Sequence, residues 1–252
     1  MNAVGNRVAV VTGGSRGIGR AICQALARRG WDVCLSYASN AAAARETVAL
    51  VEAQGRRALA VESDVADEAQ VRQLFADMDR TFGRIDALVN NAGIVGGQHS
   101  ILDLDVAHLR AVFDANVVGA FVCTREAARR MSTQKGGPGG VVVNVSSAAA
   151  RHGGLPLESH YAASKGAMDS FTIALAKELP AHGIRVNAVR PGLILTDIHE
   201  VHSGQEMLAR VGPTIPIGHA GRPEEVADVV AFLCSPESSY VHGALVDVSG
   251  GR

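Results

Sequence analysis

The sequence shows almost no charge imbalance: 24 basic residues against 25 acidic ones leave a formal charge of −1. No net field draws in nucleic acid or an anionic membrane, so a small-molecule partner is expected instead. Cysteine is scarce. Cys23, Cys34, Cys123 and Cys234 lie in separate apolar stretches without a C-x-x-C pair, which argues against zinc or a redox dithiol and suggests buried core thiols. No unbroken apolar run approaches the roughly 20 residues of a membrane span, and no cleavable signal pattern precedes the first valine-rich stretch. A cytoplasmic location is the expectation. Lysine is the scarcest charged type: only Lys135, Lys165 and Lys177 stand among the basic residues, the rest being arginine. Tyrosine is equally rare, with three in the chain.

What is abundant is alternation. Short β-branched runs recur at 7–12, 32–37, 57–62, 86–91, 140–146, 184–189 and 244–249, and helical spacing fills the intervals, as in Ile18, Ile22, Ala25 and Leu26 or Val71, Leu74, Phe75 and Met78. Strands apolar on both faces must be covered on both sides, so the pattern predicts an α/β, doubly wound fold with a seven-stranded parallel sheet and helices front and back. No linker or repeat divides the chain, and 1–252 is expected to form one domain. "STQKGGPGG" (132–140) is expected to be a surface loop. The His-, Gly- and Pro-rich segment 196–223 breaks the alternation after a strand end, where ligands of such folds bind, and is expected to be a lid.

The first strand runs into "TGGSRGIG", which sets Gly13, Gly17 and Gly19 between strand and helix. Glycines here permit positive φ, let backbone approach a pyrophosphate and aim a helix N-terminus at negative charge. In sites for NAD(H) an acidic residue near the end of the second strand holds the ribose hydroxyl. Tyr37 occupies that region, while Asp32 comes too early. Arg16 is placed to meet a ribose phosphate, helped by Ser36, Ser39 or Asn40, so NADP(H) is preferred over NAD(H). The alternative is that Arg16 is a solvated loop residue.

"YAASK" puts Tyr161 and Lys165 one helical turn apart on one face. A phenol ionises near pH ~10, and an adjacent ammonium would stabilise the phenolate. Alone, such a pair also arises by chance on amphipathic helices. Yet "TGGSRGIG", "NNAG" (90–93), Asn116 in "DANVVGAF", "NVSS" (144–147), "YAASK" (161–165) and "RPG" (190–192) follow one another in this order. Over nearly its whole length the chain resembles the short-chain dehydrogenase/reductase family, similar to bacterial 3-oxoacyl-carrier reductases and glucose dehydrogenase-like members.

The resemblance implies a Rossmann fold and an oxidoreductase that moves hydride between nicotinamide and a carbonyl or secondary alcohol. Tyr161 is implied as acid/base, Ser147 as the hydrogen-bond partner of the substrate oxygen, Lys165 as a ribose ligand, and Asn116 as the holder of a relay water. Ser146 or Ser159 remain alternatives for the serine, because the gap from Ser147 to Tyr161 is one residue longer than usual. That extra residue is placed in "GGLPLESH" (153–160). Implied cofactor contacts are Gly13, Ser15, Arg16, Gly17, Ile18, Gly19, Tyr37, Asp64, Val65, Asn90, Ala92, Gly93, Tyr161, Lys165, Pro191, Gly192, Ile194 and Thr196. The implied substrate is a small ketone or 3-oxoacyl thioester, with a sugar as alternative. A non-catalytic sensor is the alternative from another class.

No metal is expected. "DIHEVH" (197–202) lacks the H-E-x-x-H order, while His152 and His160 flank the site as candidate substrate contacts. Arg125, Arg129, Arg130 and Lys135 form either a solvated face or a dock for acyl carrier protein. The small and apolar residues of the Tyr161 helix suggest a subunit interface, and the resemblance implies a homotetramer.

Overall fold

The computed structural model describes residues 6–196 and 212–252. Seven strands form one parallel sheet: β1 (Val8–Val11), β2 (Asp32–Tyr37), β3 (Ala58–Glu62), β4 (Ala87–Asn90), β5 (Gly140–Val145), β6 (Ile184–Pro191) and β7 (Leu245–Val248). Their order is β3-β2-β1-β4-β5-β6-β7. Period-two alternation explains the two cores. Ala9, Val11, Val33, Leu35 and Val143 point to one face, where they meet Ile22, Leu26, Val226 and Val230. Val8, Val10, Leu88, Val142 and Val186 point to the other, against Leu74, Phe75, Met78, Met131 and Met168.

The first face is covered by α1 (Gly17–Arg28) and α8 (Pro223–Leu233), and the second by α3 (Glu68–Phe82), α5 (Gly119–Met131) and α7 (Ser159–Glu178). Local chemistry fixes several helix starts. Asn40 caps α2 (Ala41–Glu52) by accepting from Ala43 N, and Asp67 caps α3 by accepting from Ala69 N and Gln70 N. Strand order reverses between β1 and β4, which opens a crevice at their carboxyl ends. The glycine turn follows β1, and the "NNAG" motif follows β4.

The helix before β5 departs from regular geometry. A π-turn, Asp114–Val118, joins α4 (Val106–Phe113) to α5. The whole of Val106–Met131 is long and apolar enough to cross a membrane by length and composition, with only 28% of its most apolar window buried. Arg110 and Asp114 break this stretch, so it contains no unbroken apolar run, and it packs Cys123, Ala127 and Met131 into the core beneath the sheet. The four cysteines are buried free thiols. Burial pushes Cys34, Cys123 and Cys234 up to about 12 and Cys23 upward as well. Between β5 and α7, a short helix α6 (Ala149–His152) leads into the loop in which the sequence places an extra residue.

The central part of the lid segment, with "DIHEVH", lies outside the described residues. Its stems are tied together: Ile194 bridges to Gly221, Leu195 N donates to Gly221 O at 2.8 Å, and Gly221 N donates to Leu193 O at 2.9 Å.

Candidate active site

A cleft of about 530 Å³ lies at the carboxyl ends of the central strands. At its floor the glycine turn is held by Gly13 N donating to Ser36 Oγ (3.2 Å) and Gly14 N to Ser36 O (2.9 Å). Gly13 and Gly17 have φ of 64° and 53°, a region that L side chains rarely adopt. A Cβ at Gly19 would sit 2.2 Å from Gly13 O. Arg16 precedes α1 in extended conformation and makes no side-chain cap, so the first amides of α1 lack a capping partner from it. Such a cradle of exposed amides and glycine backbone fits a dinucleotide pyrophosphate.

Gly13, Ser15, Arg16, Gly17, Ile18, Gly19, Tyr37, Asp64, Val65, Ala92 and Gly93 all line this cleft, as do Ser36, Ser39 and Asn40. Asp32 is buried at the far end of β2 and paired with Arg56 at 2.7 Å, so no carboxylate stands at the carboxyl end of that strand. Asn90 does not line the cleft. Its side chain turns into the core and donates to Thr124 Oγ1 and Asn144 Oδ1, both at 2.9 Å. Asn91 faces the cleft instead and ties the glycine turn through Nδ2 to Thr12 O (2.9 Å) and Gly13 O (3.1 Å). Thr12 Oγ1 accepts from the amides of Asn91 and Ala92, each at 3.0 Å. The sequence motif marks both asparagines equally; strand alternation separates them.

Opposite this floor stand Ser147, Tyr161 and Lys165. Ser147 Oγ accepts from Ala149 N at 3.1 Å and hydrogen-bonds the Tyr161 side chain. Ser146 donates its hydroxyl to Lys165 O at 3.1 Å, and Ser159 is exposed and off the cleft, so Ser147 alone of the three pairs with the tyrosine. Lys165 is buried and donates to Val145 O at 2.9 Å, with Nζ 5.7 Å from the Tyr161 ring centroid. Burial pushes the Lys165 amine down to about 8, opposed by the charge of Asp169. Burial likewise pushes the Tyr161 phenol up, with the Ser147 hydrogen bond opposing and the Glu158 charge adding to the rise. In the protein alone, burial therefore outweighs the ammonium effect expected from the sequence.

Asn116 sits in the π-turn, buried behind the cleft. Its Oδ1 accepts from Ile94 N (2.7 Å), and its Nδ2 donates to Ile94 O (2.8 Å) and Ser164 Oγ (3.0 Å). These bonds tie the loop after β4 to α7. A Cβ at Gly93 would lie 2.9 Å from Asn116 Oδ1 and 3.6 Å from Lys165 Nζ, so this glycine lets the three elements meet.

Pro191, Gly192, Ile194 and Thr196 complete the wall, with Thr196 beside Gly17. His152 lines the cleft, but His160 does not. Its buried ring bonds Val95 O through Nε2 at 3.1 Å and packs against His99 and His108. Burial, followed by the neighbouring histidines, pushes it below its ordinary value. Glu158 and Arg252 also border the cleft; the motifs marked neither. Among the described residues no group of His, Cys, Asp and Glu is arranged to hold a metal. The arginine cluster is largely neutralised: Arg125, Arg129 and Arg130 all pair with Glu126, Arg125 also with Glu68, and Arg130 also with Asp79.

The family described as "Enoyl-(Acyl carrier protein) reductase" matches residues 13–252. The chain is 43% identical to the uncharacterized oxidoreductase YgfF of Escherichia coli, over 97% of this chain and 99% of that one. It is 39% identical to an L-rhamnose 1-dehydrogenase (NAD(P)(+)) of Sphingomonas, over 100% of this chain and 98% of that one. A short chain dehydrogenase from Burkholderia cenocepacia, solved in complex with NADP, superposes with a TM-score of 0.90 at 37% identity, covering 99% of each chain.

Proposed function

Because the chain belongs to the short-chain dehydrogenase/reductase family, oxidoreductases that act on alcohol and carbonyl groups, we propose that it is an NADP(H)-dependent carbonyl reductase or alcohol dehydrogenase. The proposed substrate is a small ketone or 3-oxoacyl thioester, with a sugar as the second reading, favoured by the likeness to the rhamnose dehydrogenase. The observation that carries the proposal is the meeting of Ser147, Tyr161 and Lys165 across the cleft that the glycine turn floors.

The nicotinamide would supply hydride to a carbonyl carbon, or accept it from an alcohol in reverse. The glycine turn and the amides of α1 would hold its pyrophosphate, and Arg16 a ribose phosphate. Tyr161, kept protonated by burial, gives its proton to the oxygen on which negative charge develops, while Ser147 hydrogen-bonds that oxygen. Lys165, held near 8 between Val145 O and the tyrosine ring, exchanges protons close to neutral pH and is placed to restore the one Tyr161 gives up. Asn116 acts by fixing Ile94 and Ser164; a relay water would rest on the backbone of its π-turn. Retention of all four groups weighs against a non-catalytic sensor.

NADPH absorbance followed with a panel of acetoacetyl thioesters, aldoses and small ketones tests this reading. Oxidation of NADPH by at least one carbonyl supports it, and inertness to all of them contradicts it. We further propose a homotetramer formed through the groove between α5 and α7, where half-exposed Phe121 stacks on Phe171 at 3.7 Å. The ion pairing of the arginine cluster leaves less free positive charge for an acyl carrier protein, which stays the less favoured partner.

A further inference from the structure

Glu158 is a carboxylate in the cleft that the family motifs do not account for. It stands at the N-cap of α7, three residues before Tyr161, yet its side chain makes no cap bond there. Instead Oε2 accepts from Leu155 N at 3.2 Å, which turns the group toward the loop that carries the extra residue. That loop is strained. Leu157 has φ of 70° and is the only non-glycine residue with positive φ among those described. Such a conformation is unfavourable for a side chain with a Cβ and persists only where its surroundings over-determine it. Here Leu157 O accepts from His99 N at 2.8 Å, and Gly154, itself at φ 80°, lies in van der Waals reach of the Glu158 side chain. The carboxylate is thus seated in a loop held at both Leu157 and Leu155.

That carboxylate borders the same cleft as Ser147 and Tyr161, and its charge is felt at the tyrosine hydroxyl. It has no ion pair among the described residues. An ionised carboxylate only accepts hydrogen bonds, so a ligand that covers it must bring a donor or leave it desolvated and unpaired. A simple ketone or a thioester has no donor beside its carbonyl. An ammonium would also serve, but a hydroxyl supplies the donor without bringing a second charge into the cleft.

We propose that Glu158 selects substrates that carry a hydroxyl on the carbon next to the reacting carbonyl, so that hydroxyketones and sugars are favoured over 3-oxoacyl thioesters. The inference rests on the oxidoreductase reading above and refines its substrate class.

Acetoin and butanone differ only in that hydroxyl and make the test. With NADPH and the full chain, the wild type is expected to prefer acetoin in kcat/KM by roughly a hundredfold, because a site built around a substrate hydroxyl rejects the analogue lacking it. Glu158→Gln, which keeps an acceptor for Leu155 N but loses the charge, is expected to narrow that preference by roughly tenfold, and Glu158→Ala to narrow it further. A purely structural role would lower both substrates together and leave the ratio intact. An unchanged ratio in the Gln variant, or a wild type that favours butanone or acetoacetyl thioester, overturns the inference. Turnover of neither ketone overturns it too; calorimetric binding of NADPH and activity on the rest of the panel then decide whether the broader reading also falls.

Discussion

Lys165 weakens the fold that holds it. Its value in the folded protein, about 8, lies below the 10.5 of an exposed lysine. Between those pH values the unfolded chain keeps a proton that the folded one has released, so stability rises as pH climbs through that window. Below it, keeping the buried ammonium costs roughly 3 kcal/mol. Lys165→Met is therefore expected to raise the melting temperature at neutral pH by roughly 5 °C while removing turnover, which a thermal scan beside an NADPH assay checks. Glu158 acts on the neighbouring phenol in the opposite sense, since its negative charge adds to the rise at Tyr161. Glu158→Gln should move the pH limb set by Tyr161 to lower pH for every substrate, visible in pH–rate profiles. At this scale motif and spacing coincide for Tyr161, Lys165 and Ser147, and all three line one cleft. The sequence was less readable for Asn90, because two adjacent asparagines on a strand end look alike until the pleat sends one inward and the other to the cleft. Glu158 carried no motif; a signal was available in the extra residue of its loop.

The glycine turn is the element whose shape is least tolerant. A methyl at Gly19 would meet Gly13 O at 2.2 Å, and Gly13 bonds Ser36 and Asn91. Gly19→Ala is expected to weaken NADPH binding by at least roughly a hundredfold and to destabilise the fold by about 2 kcal/mol, read by calorimetry and denaturant titration. Arg16→Ala leaves that geometry alone and should weaken NADPH roughly tenfold more than NADH; equal losses would remove the case for NADP(H). Strands and principal helices were legible because burial on both faces and 3.6-residue spacing write themselves into composition. The π-turn at Asp114–Val118 was not, since an i to i+5 bond changes no residue type; Asn116 stood out only as part of a resemblance.

Across the whole molecule, the alternation of strands and helices sufficed for a parallel sheet of seven strands, and the reversal of strand order places the cleft where β1 and β4 part. Oligomerisation belongs to the same scale. Phe121→Asp should convert the proposed tetramer to smaller species in light scattering, because a carboxylate on the half-exposed face of α5 cannot be buried against a second copy. The central claim is that one cleft both binds NADPH and moves a proton through Tyr161. Tyr161→Phe separates the two: calorimetry should find NADPH affinity within about threefold of wild type, while carbonyl-dependent NADPH oxidation falls by at least roughly a thousandfold. Substantial turnover in that variant would contradict the account.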